Sequence, residues 1–195
     1  VESIRHIITP SIAIDYVHAP TAGNNNIFQF DQIDDISRSQ TITFALKNKL
    51  QVKKDKDTAW DFLYFSPALV YSVHEPDYGS QFWKITSDLE IYTGKGISVN
   101  IDHEYNCQQR FLEELNADVS LALGKSTNVA FGYRTAHKEN SQMTVDMHHS
   151  FNPKWRINSY LRYDYYSGIL EEQQYSITRD LHYWVMDVGF KVDKD

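Results

Sequence analysis

A histidine and a serine two positions apart, His148 and Ser150, are the residues whose spacing most directly suggests chemistry. A base beside a serine is the minimum for acyl transfer, because the imidazole can accept the hydroxyl proton while the oxygen attacks a carbonyl carbon. The surrounding residues alternate between apolar and polar types, which places both side chains on the polar face of a predicted strand. The adjacent His149 points to the opposite face, so the two histidines make a poor chelating pair. No third group that would orient the imidazole is evident, so we assign no catalytic residue and expect a protein that is not an enzyme.

Acidic residues suggest a second kind of site, for cation binding or proton exchange. Asp102 and Glu104 lie two positions apart and therefore share one face of a strand. Paired carboxylates can exchange protons or bind calcium. The simpler interpretation is a solvated polar wall, in which these carboxylates are balanced by Arg134, Arg156 and Arg162.

Two loop-like stretches carry weaker signals. Asp31, Asp34 and Asp35 lie in a predicted long loop rich in Gly, Asn and Asp and could hold a cation, although a solvated acidic loop is the simpler interpretation. Gly94 and Gly96 fit a tight turn rather than a phosphate-binding loop, because no helix follows them. We expect no cofactor and no bound metal.

The composition narrows the class of protein. The chain has 195 residues, enough for one domain spanning 1–195, and its net charge of −7 without a basic stripe excludes nucleic acid as a partner. No apolar run reaches the length of a membrane helix. Mean hydropathy is −0.50, but a membrane barrel carries its hydrophobicity in every second residue, so this value does not argue against a membrane. Cys107 is the single cysteine and cannot form an internal disulfide.

Strict alternation over residues 115–165 is the strongest structural signal. Four alternating stretches are separated by turns that leave room only for nearest-neighbour pairing, which predicts four consecutive antiparallel strands. Each runs to about ten residues, close to what a tilted membrane-spanning strand needs. The apolar residues are candidates for contact with lipid: Leu121, Phe131, Val145, Met147, Ile157 and Leu161. The polar residues, with two from the preceding strand, are candidates for the lumen wall of a barrel: Asp102, Glu104, Asp118, Arg134, Asp146, Arg156, Arg162 and Asp164.

The same pattern extends through the rest of the chain. Further strands are predicted at 4–16, 41–52, 60–73, 82–92, 97–106, 173–179 and 184–192, with loops at 107–114 and 167–172. The predicted fold is all-β, an antiparallel up-and-down meander of about 10–12 strands that forms a transmembrane β-barrel or an open segment of a larger one. A soluble barrel or sandwich with one solvated face would show the same alternation.

Tryptophans mark one end of the predicted strands. The connections near residues 94, 125, 153 and 181 are predicted to be short, and those near 27, 78, 110, 139 and 169 mostly longer. Bacterial barrels show this asymmetry, with the short turns on the periplasmic side. Trp60, Trp155 and Trp184 each open a strand just after an inferred periplasmic turn. Because an indole ring prefers the membrane interface, these are candidate interface aromatics; in a soluble sheet they would be core residues.

Several segments resemble the C-terminal barrel of the lipopolysaccharide-assembly outer-membrane proteins, the LptD or organic-solvent-tolerance family. They are IRHIITPSIAIDYVHAP at 4–20, DQIDDISRSQTITFALKNKLQVKKD at 31–55 and LRYDYYSGILEEQQYSITRDLHYWVMDVGF at 161–190. The most specific parts are the Arg5-His6-x-x-x-Pro10 pattern and the Arg-Asp-Leu-His-x-Trp pattern at 179–184.

The resemblance implies a location, a function and partners. It implies a chain in the bacterial outer membrane that is the C-terminal part of a larger barrel, in contact with the lipid bilayer. That barrel would pass lipopolysaccharide from a periplasmic bridge into the outer leaflet, with a plug lipoprotein in its lumen. Members of the family often carry a cysteine near the position of Tyr183, which links barrel and periplasmic domain. His182 and Tyr183 stand here instead, which puts that disulfide in doubt.

Two other functions fit the same strands. The pattern allows a small outer-membrane channel or porin. It also allows a lipid hydrolase, because His148-x-Ser150 resembles the histidine-x-serine pair of outer-membrane phospholipases and lipid A deacylases. Those enzymes present the pair to lipid, whereas here it falls on the polar face.

Overall fold

The computed structural model describes residues 3–18, 38–55, 58–73, 81–137 and 140–194. Every helix or strand element within these ranges is a β-strand, as predicted. No helix in the described part of the chain is long and apolar enough to cross a membrane. The strands are β1 (Ser3–Val17), β2 (Ser39–Asp55), β3 (Thr58–Ser72), β4 (Phe82–Tyr92), β5 (Ile97–Asn106), β6 (Phe111–Leu123), β7 (Thr127–Ala136), β8 (Asn140–Asn152), β9 (Trp155–Asp164), β10 (Ile169–Asp180) and β11 (Val185–Asp193).

The strands form one antiparallel meander sheet. Each strand pairs with its neighbours in sequence, in the order β1 to β11, and every pairing is antiparallel. β1 and β11 are the two edges and do not pair with each other within the described residues, so the sheet is open and not closed into a barrel. The predicted meander is therefore confirmed, in the open form.

The register sorts the side chains into an apolar face and a polar face. Directly opposed residues of an antiparallel ladder share a face. Phe131 lies opposite Val119 in β6 and Val145 in β8, and Val145 lies opposite Leu161 in β9. All six predicted apolar residues of β6 to β9 share this apolar face, as do the alternate residues Met186, Val188 and Phe190 of β11.

No second layer of protein covers either face in the described part of the chain. Soluble domains normally pack two layers around a hydrophobic core. Among the described residues only two hydrophobic side chains are buried, those of Val52 and Val70. The exposed fraction is 76% for Ile14, 69% for Ile12 and 62% for Phe190, all on the apolar face. The alternation therefore builds a single sheet whose apolar side is open.

Two segments predicted to be loops belong partly to strands. The predicted loops at 107–114 and 167–172 are confirmed at 107–110 and 167–168, which are turns, and are wrong beyond them, because β6 begins at Phe111 and β10 begins at Ile169. Each of these strands pairs across a β-bulge, one in the β5–β6 ladder and one in the β9–β10 ladder. A bulge adds a residue to one strand and interrupts the period of two, so the sequence pattern no longer marks the strand.

The connections are less asymmetric than predicted. Short turns lie at 93–96, 124–126, 153–154 and 181–184, as expected. The connections at 107–110 and 165–168, which were predicted to be longer, are short as well. The missed strand residues next to the bulges account for this difference.

Prolines occupy the middle of two strands. Pro10, predicted for an edge, a bulge or a strand start, lies in the edge strand β1 opposite Leu46. Pro67 lies in the interior strand β3, and the β2–β3 register skips the residues opposite it. The Asn48 side-chain amide donates a hydrogen bond to the Leu46 carbonyl oxygen at 2.9 Å. That bond serves a carbonyl oxygen at a point where proline has no N–H to donate.

Candidate functional site

Charged side chains on the polar face form ion pairs across nearly the full width of the sheet. Each pair joins neighbouring strands or neighbours along one strand. Most partners are partly exposed, and pairs of that kind contribute little to stability by themselves, whereas Glu172 is buried, with 8% of its surface exposed. Together they fix where charge lies on this face. The nitrogen–oxygen distances are 2.8 Å for Lys49–Asp61, 2.8 Å for Lys84–Glu104, 2.5 Å for Arg134–Asp118, 3.1 Å for Arg162–Glu171, 3.3 Å for Arg162–Glu172, 3.0 Å for Lys191–Glu172 and 3.0 Å for Lys191–Asp193.

The predicted wall residues share this face, but their partners differ from those expected. The register places all eight on the polar face. Glu104 is balanced by Lys84 and not by an arginine, Arg134 pairs with Asp118, and Arg162 pairs with two glutamates of β10. Sequence reasoning missed Lys84 because alternation is weak in β4, and it missed the glutamates because they fall in the predicted loop beside a bulge.

Other predicted wall residues have different surroundings. Asp102 lies directly opposite Asp88 of β4, so two carboxylates face each other with no arginine between them. Asp164 accepts two backbone N–H groups of the following turn, at 2.6 and 3.2 Å. Arg156 has no carboxylate within ion-pair distance among the described residues.

Gly132 allows a close approach at the centre of the polar face. A Cβ atom at this position would lie 2.9 Å from Asp118 Oδ1 and closer still to Thr144 Oγ1. These side chains come from the strands on either side of Gly132. The Arg134–Asp118 ion pair therefore lies beside a site that only glycine fits without displacement.

Cavities open mainly on the polar face. Asp146, Tyr160 and Lys191 line a cavity of about 280 Å³ over β8 to β11. Asp88 and Asp102 line a second cavity of about 340 Å³ over β3 to β6. A third, of about 500 Å³, lies near the turn between β8 and β9. The larger cavities of the sheet thus lie on its polar face.

The predicted interface tryptophans lie at the same end of the sheet, the end that carries the turns at 93–96, 124–126, 153–154 and 181–184. Trp60 Nε1 donates to the carbonyl oxygen of Tyr92 at 3.2 Å. The Arg179 guanidinium lies 4.8 Å from the Trp155 ring centre. Trp184, immediately before β11, is 61% exposed. Each indole is thus at a strand end, and two of the three have a polar or cationic neighbour.

A second group of aromatic rings lies at the opposite end. Tyr71 and Phe82 meet with ring centres 5.5 Å apart, Tyr133 and Tyr165 meet at 6.3 Å, and Tyr163 and Tyr165 meet at 5.2 Å. The apolar face therefore has tyrosine or tryptophan at both ends and mostly aliphatic residues in the middle, where Phe131 is one of the exceptions. From Trp155 to Tyr165 the separation is about 33 Å along the chain at ~3.3 Å per residue.

A row of hydrogen-bonded side chains crosses β8, β9 and β10 on the polar face. Ser150 Oγ lies 3.4 Å from His148 Nε2. His148 Nδ1 is hydrogen-bonded to Asn158 Oδ1, and Asn158 Nδ2 donates to Ser176 Oγ at 3.0 Å. The ladder sets these contacts, because His148 lies opposite Asn158 and Asn158 lies opposite Ser176. We refer to these four half-buried residues as the serine–histidine row.

The row corrects the expectation that no third group orients His148. When Nδ1 carries the proton and donates it to Asn158 Oδ1, the lone pair of Nε2 faces Ser150. That is the tautomer a general base needs to take a proton from the serine hydroxyl. Asn158 is ten residues from His148 in sequence and lies on the next strand, so no local pattern identifies it.

Two other histidines contact hydroxyl groups on the apolar face. His103 Nδ1 lies 2.5 Å from Ser87 Oγ, and His149 Nδ1 lies 2.7 Å from Thr127 Oγ1. His148 and His149 therefore face opposite sides of the sheet, as predicted. Neither His103 nor His149 has a second hydrogen-bonded side chain among the described residues, so neither belongs to a three-residue arrangement.

The described ranges contain no group of three or more His, Cys, Asp or Glu residues placed to hold a metal ion. The predicted cation site at Asp31, Asp34 and Asp35 lies outside the described residues. Gly94 and Gly96 adopt φ angles of 70° and 81° within the turn at 93–96, as their prediction as turn residues requires. No protein-family model matches the sequence, and no curated protein is matched by it.

Proposed function

We propose that this sheet is part of the wall of an outer-membrane β-barrel that delivers lipopolysaccharide to the outer leaflet. Its apolar face meets the bilayer and its polar face lines the lumen. The observation that carries the proposal is the exposed apolar face bounded by aromatic residues at both ends.

The hydrocarbon of a bilayer would cover the apolar face, which no second layer of protein covers in the described part of the chain. Burying one large apolar side chain stabilises a protein by about 1.5–3 kcal/mol, and the apolar face leaves many such side chains exposed, from Ile12 in β1 to Phe190 in β11. In water this face would need a second layer of protein. In a bilayer the acyl chains cover it.

The dimensions of the apolar face suit a bilayer. The ~33 Å between the aromatic ends of β9 becomes about 25 Å across the membrane for a strand tilted by roughly 40°. Barrels of the outer membrane carry an apolar band of about 25 Å between aromatic girdles. The match supports placing the aromatic rows at the two interfaces.

The open edges favour a segment of a larger barrel. Unpaired N–H and C=O groups are costly in hydrocarbon, so spanning sheets close on themselves. The edge strands β1 and β11 therefore require strand partners when the sheet is in the membrane. In this proposal, further strands of the same barrel provide them.

The lipopolysaccharide part of the proposal rests on the family resemblance. One of its two patterns, at 179–184, forms the β10–β11 turn. Asp180 Oδ1 accepts the His182 N–H at 2.8 Å, and the Leu181 N–H donates to the Trp184 carbonyl oxygen at 2.9 Å. With Arg179 over the Trp155 ring, the pattern holds two of the tryptophans at one end of the sheet.

Lipid quenching tests which face meets the membrane. Single cysteines are introduced into a Cys107→Ser background, labelled with a fluorophore and reconstituted into vesicles that contain nitroxide lipids. We expect quenching at the apolar-face variants Leu121→Cys, Phe131→Cys and Val145→Cys. The polar-face controls Ser120→Cys and Arg134→Cys should stay unquenched. A protein that is monodisperse without detergent, with the three apolar sites unreachable by the quencher, would refute the membrane placement and the export function.

A separate experiment tests the cargo. A photoreactive phenylalanine analogue placed at Asn116 or Gln142, on the polar face, should cross-link to lipopolysaccharide in reconstituted membranes. The same analogue at Leu121 should capture bulk membrane lipid. Stepwise conductance in planar bilayers with no lipopolysaccharide adduct at either polar site would replace the export function with that of a channel, and the membrane placement would stand.

A further inference from the structure

The serine–histidine row has the connectivity of a nucleophile, a base and a group that positions the base. Ser150 Oγ contacts His148 Nε2 at 3.4 Å, and the other imidazole nitrogen is held by Asn158 Oδ1. The first contact is longer than a strong hydrogen bond, but such contacts often tighten only when substrate is bound. Serine and asparagine contact different nitrogens of the same imidazole, so the histidine can accept the serine proton while the asparagine holds the ring, as acyl transfer requires.

Asn158 is itself held in place. Its Nδ2 donates to Ser176 Oγ at 3.0 Å on β10, which leaves Oδ1 directed at His148. By contrast, Ser87 and His103 on the apolar face form a shorter contact, but that contact uses Nδ1 and has no third side chain among the described residues. The pairs Ser150–His148 and Ser87–His103 therefore contain the same residue types, but only the first has a third side chain that holds the imidazole.

A cavity of about 500 Å³ opens beside Ser150. This volume lies within the usual range for small-molecule sites, about 300–1,000 Å³. Arg156 lines the cavity, lies directly opposite Ser150 in the ladder, and has no ion partner among the described residues. Pro153 adds apolar surface and Asp180 contributes a carboxylate, whereas the Phe151 ring lies 4.6 Å from the His149 ring on the apolar face. The cavity thus places the positive charge of Arg156, which has no ion partner among the described residues, next to the serine hydroxyl.

We propose that Ser150, His148 and Asn158 form a serine-esterase site that hydrolyses small carboxylic esters in this cavity. Ser150 is the nucleophile, His148 is the general base, and Asn158 positions His148. Arg156 stabilises the negative oxygen of the tetrahedral intermediate. The site goes beyond the export function and does not depend on it, because the polar face is open to water in the membrane and in solution alike.

The reaction consumes only ester and water. Ser150 Oγ attacks the carbonyl carbon while its proton passes to His148 Nε2. The carbon–oxygen bond to the alcohol then breaks, and the alcohol leaves with that proton, so that an acyl-Ser150 ester remains. Water next attacks this ester and gives a proton to His148. The carboxylic acid leaves as the proton returns to Ser150 Oγ, which regenerates the starting state.

Covalent labelling of the unmodified protein provides the first test. The folded protein in detergent or vesicles is treated with a fluorescent alkyl fluorophosphonate, and the adduct is located by peptide mass spectrometry. We expect the adduct on Ser150. Since this measurement needs no variant, a folding defect cannot obscure it. Protein that retains β-sheet circular dichroism but carries no adduct on Ser150 would overturn the proposal.

Hydrolysis of p-nitrophenyl butyrate provides the second test. Ser150→Ala should abolish turnover, and His148→Gln should lower kcat on the order of 10²- to 10⁴-fold, the usual contribution of a general base. Ser87→Ala is the matched control, because it removes the hydroxyl from the other serine–histidine pair, and it should leave the rate unchanged. Equal losses in Ser150→Ala and Ser87→Ala would overturn the assignment.

The roles of Asn158 and Arg156 have distinct signatures. Asn158→Ala should lower kcat with little change in KM, and Asn158→Asp should restore activity because its carboxylate can also accept the Nδ1 proton. Arg156→Gln should lower kcat by about 10²- to 10³-fold, as the loss of one oxyanion-stabilising group does elsewhere, whereas Arg156→Lys should retain part of the rate. A failure of Asn158→Asp to exceed Asn158→Ala would remove Asn158 from the site.

Discussion

A charge placed at Phe131 should destabilise the protein in a manner that depends on depth in the membrane. Phe131 lies on the apolar face between Val119 and Val145 and is 43% exposed. The same row continues to Leu161 in β9. At ~3.3 Å per residue, Leu161 lies about 20 Å along the strand from Trp155 and about 13 Å from Tyr165.

These distances place Phe131 inside the hydrocarbon. Strand tilt of roughly 40° reduces them to about 15 and 10 Å, so the row lies near the middle of the apolar band. An arginine at the bilayer midplane costs a membrane barrel about 2–4 kcal/mol, and the cost falls to about 0–1 kcal/mol near the interfaces. Phe131→Arg should therefore lower the folding equilibrium constant by roughly 30- to 700-fold, at about 1.4 kcal/mol per factor of ten. Tyr165→Arg, at an aromatic end, should cost ~0–1 kcal/mol.

Denaturant unfolding in lipid vesicles, followed by tryptophan fluorescence, measures both costs. Ser120→Arg is the control on the polar face, where arginines already lie beside water, and its effect should be within about 0.5 kcal/mol. A soluble sheet covered by a second layer of protein would also be destabilised by Phe131→Arg. The dependence of the cost on bilayer thickness therefore distinguishes a membrane sheet from a soluble one. In vesicles of longer-chain lipid the cost of Tyr165→Arg should rise. Equal costs at Phe131 and Tyr165 in every lipid would refute the reasoning.

Two further predictions concern the polar face. Gly132→Ala should lower the unfolding free energy by about 1–3 kcal/mol, because the added methyl group overlaps neighbouring oxygens. Gly189→Ala, where the nearest atom is 3.8 Å away, is the matched control and should cost less; equal costs would refute the steric argument. Asp88→Asn should raise stability by about 0.2–1 kcal/mol, because it removes one of two like charges directly opposed across the β4–β5 ladder, and added salt should reduce the gain. Asp146→Asn, which has no acidic residue opposite, should show no such gain in the same urea titration, and a salt-independent gain at Asp88 would contradict the electrostatic cause.

Alternation made the faces of the sheet predictable. A period of two depends only on the geometry of an extended chain, so the sharing of one face by Leu121 and Phe131, and of the other by Asp118 and Arg134, follows from sequence alone. The first residues of β6 and β10, from Phe111 and Ile169 onward, were predicted to be loop because a bulge shifts this period by one residue. The ion-pair partners could not be predicted from sequence either, because Lys84 reaches Glu104 only through the β4–β5 register.

The serine–histidine row separates most clearly the features that sequence determines from those that tertiary structure determines. The sequence by itself determined that His148 and Ser150 share a polar face, because they are two residues apart on one strand. The partner of His148 depended on one bulge. The β8–β9 ladder begins with Asn152 opposite Trp155 and shifts register before Ser150. Without that shift Asn158 would lie opposite His149, on the other face, and His148 would have no amide beside Nδ1. A one-residue slip moves every side chain to the opposite face, and only the folded hairpin decides whether the slip occurs.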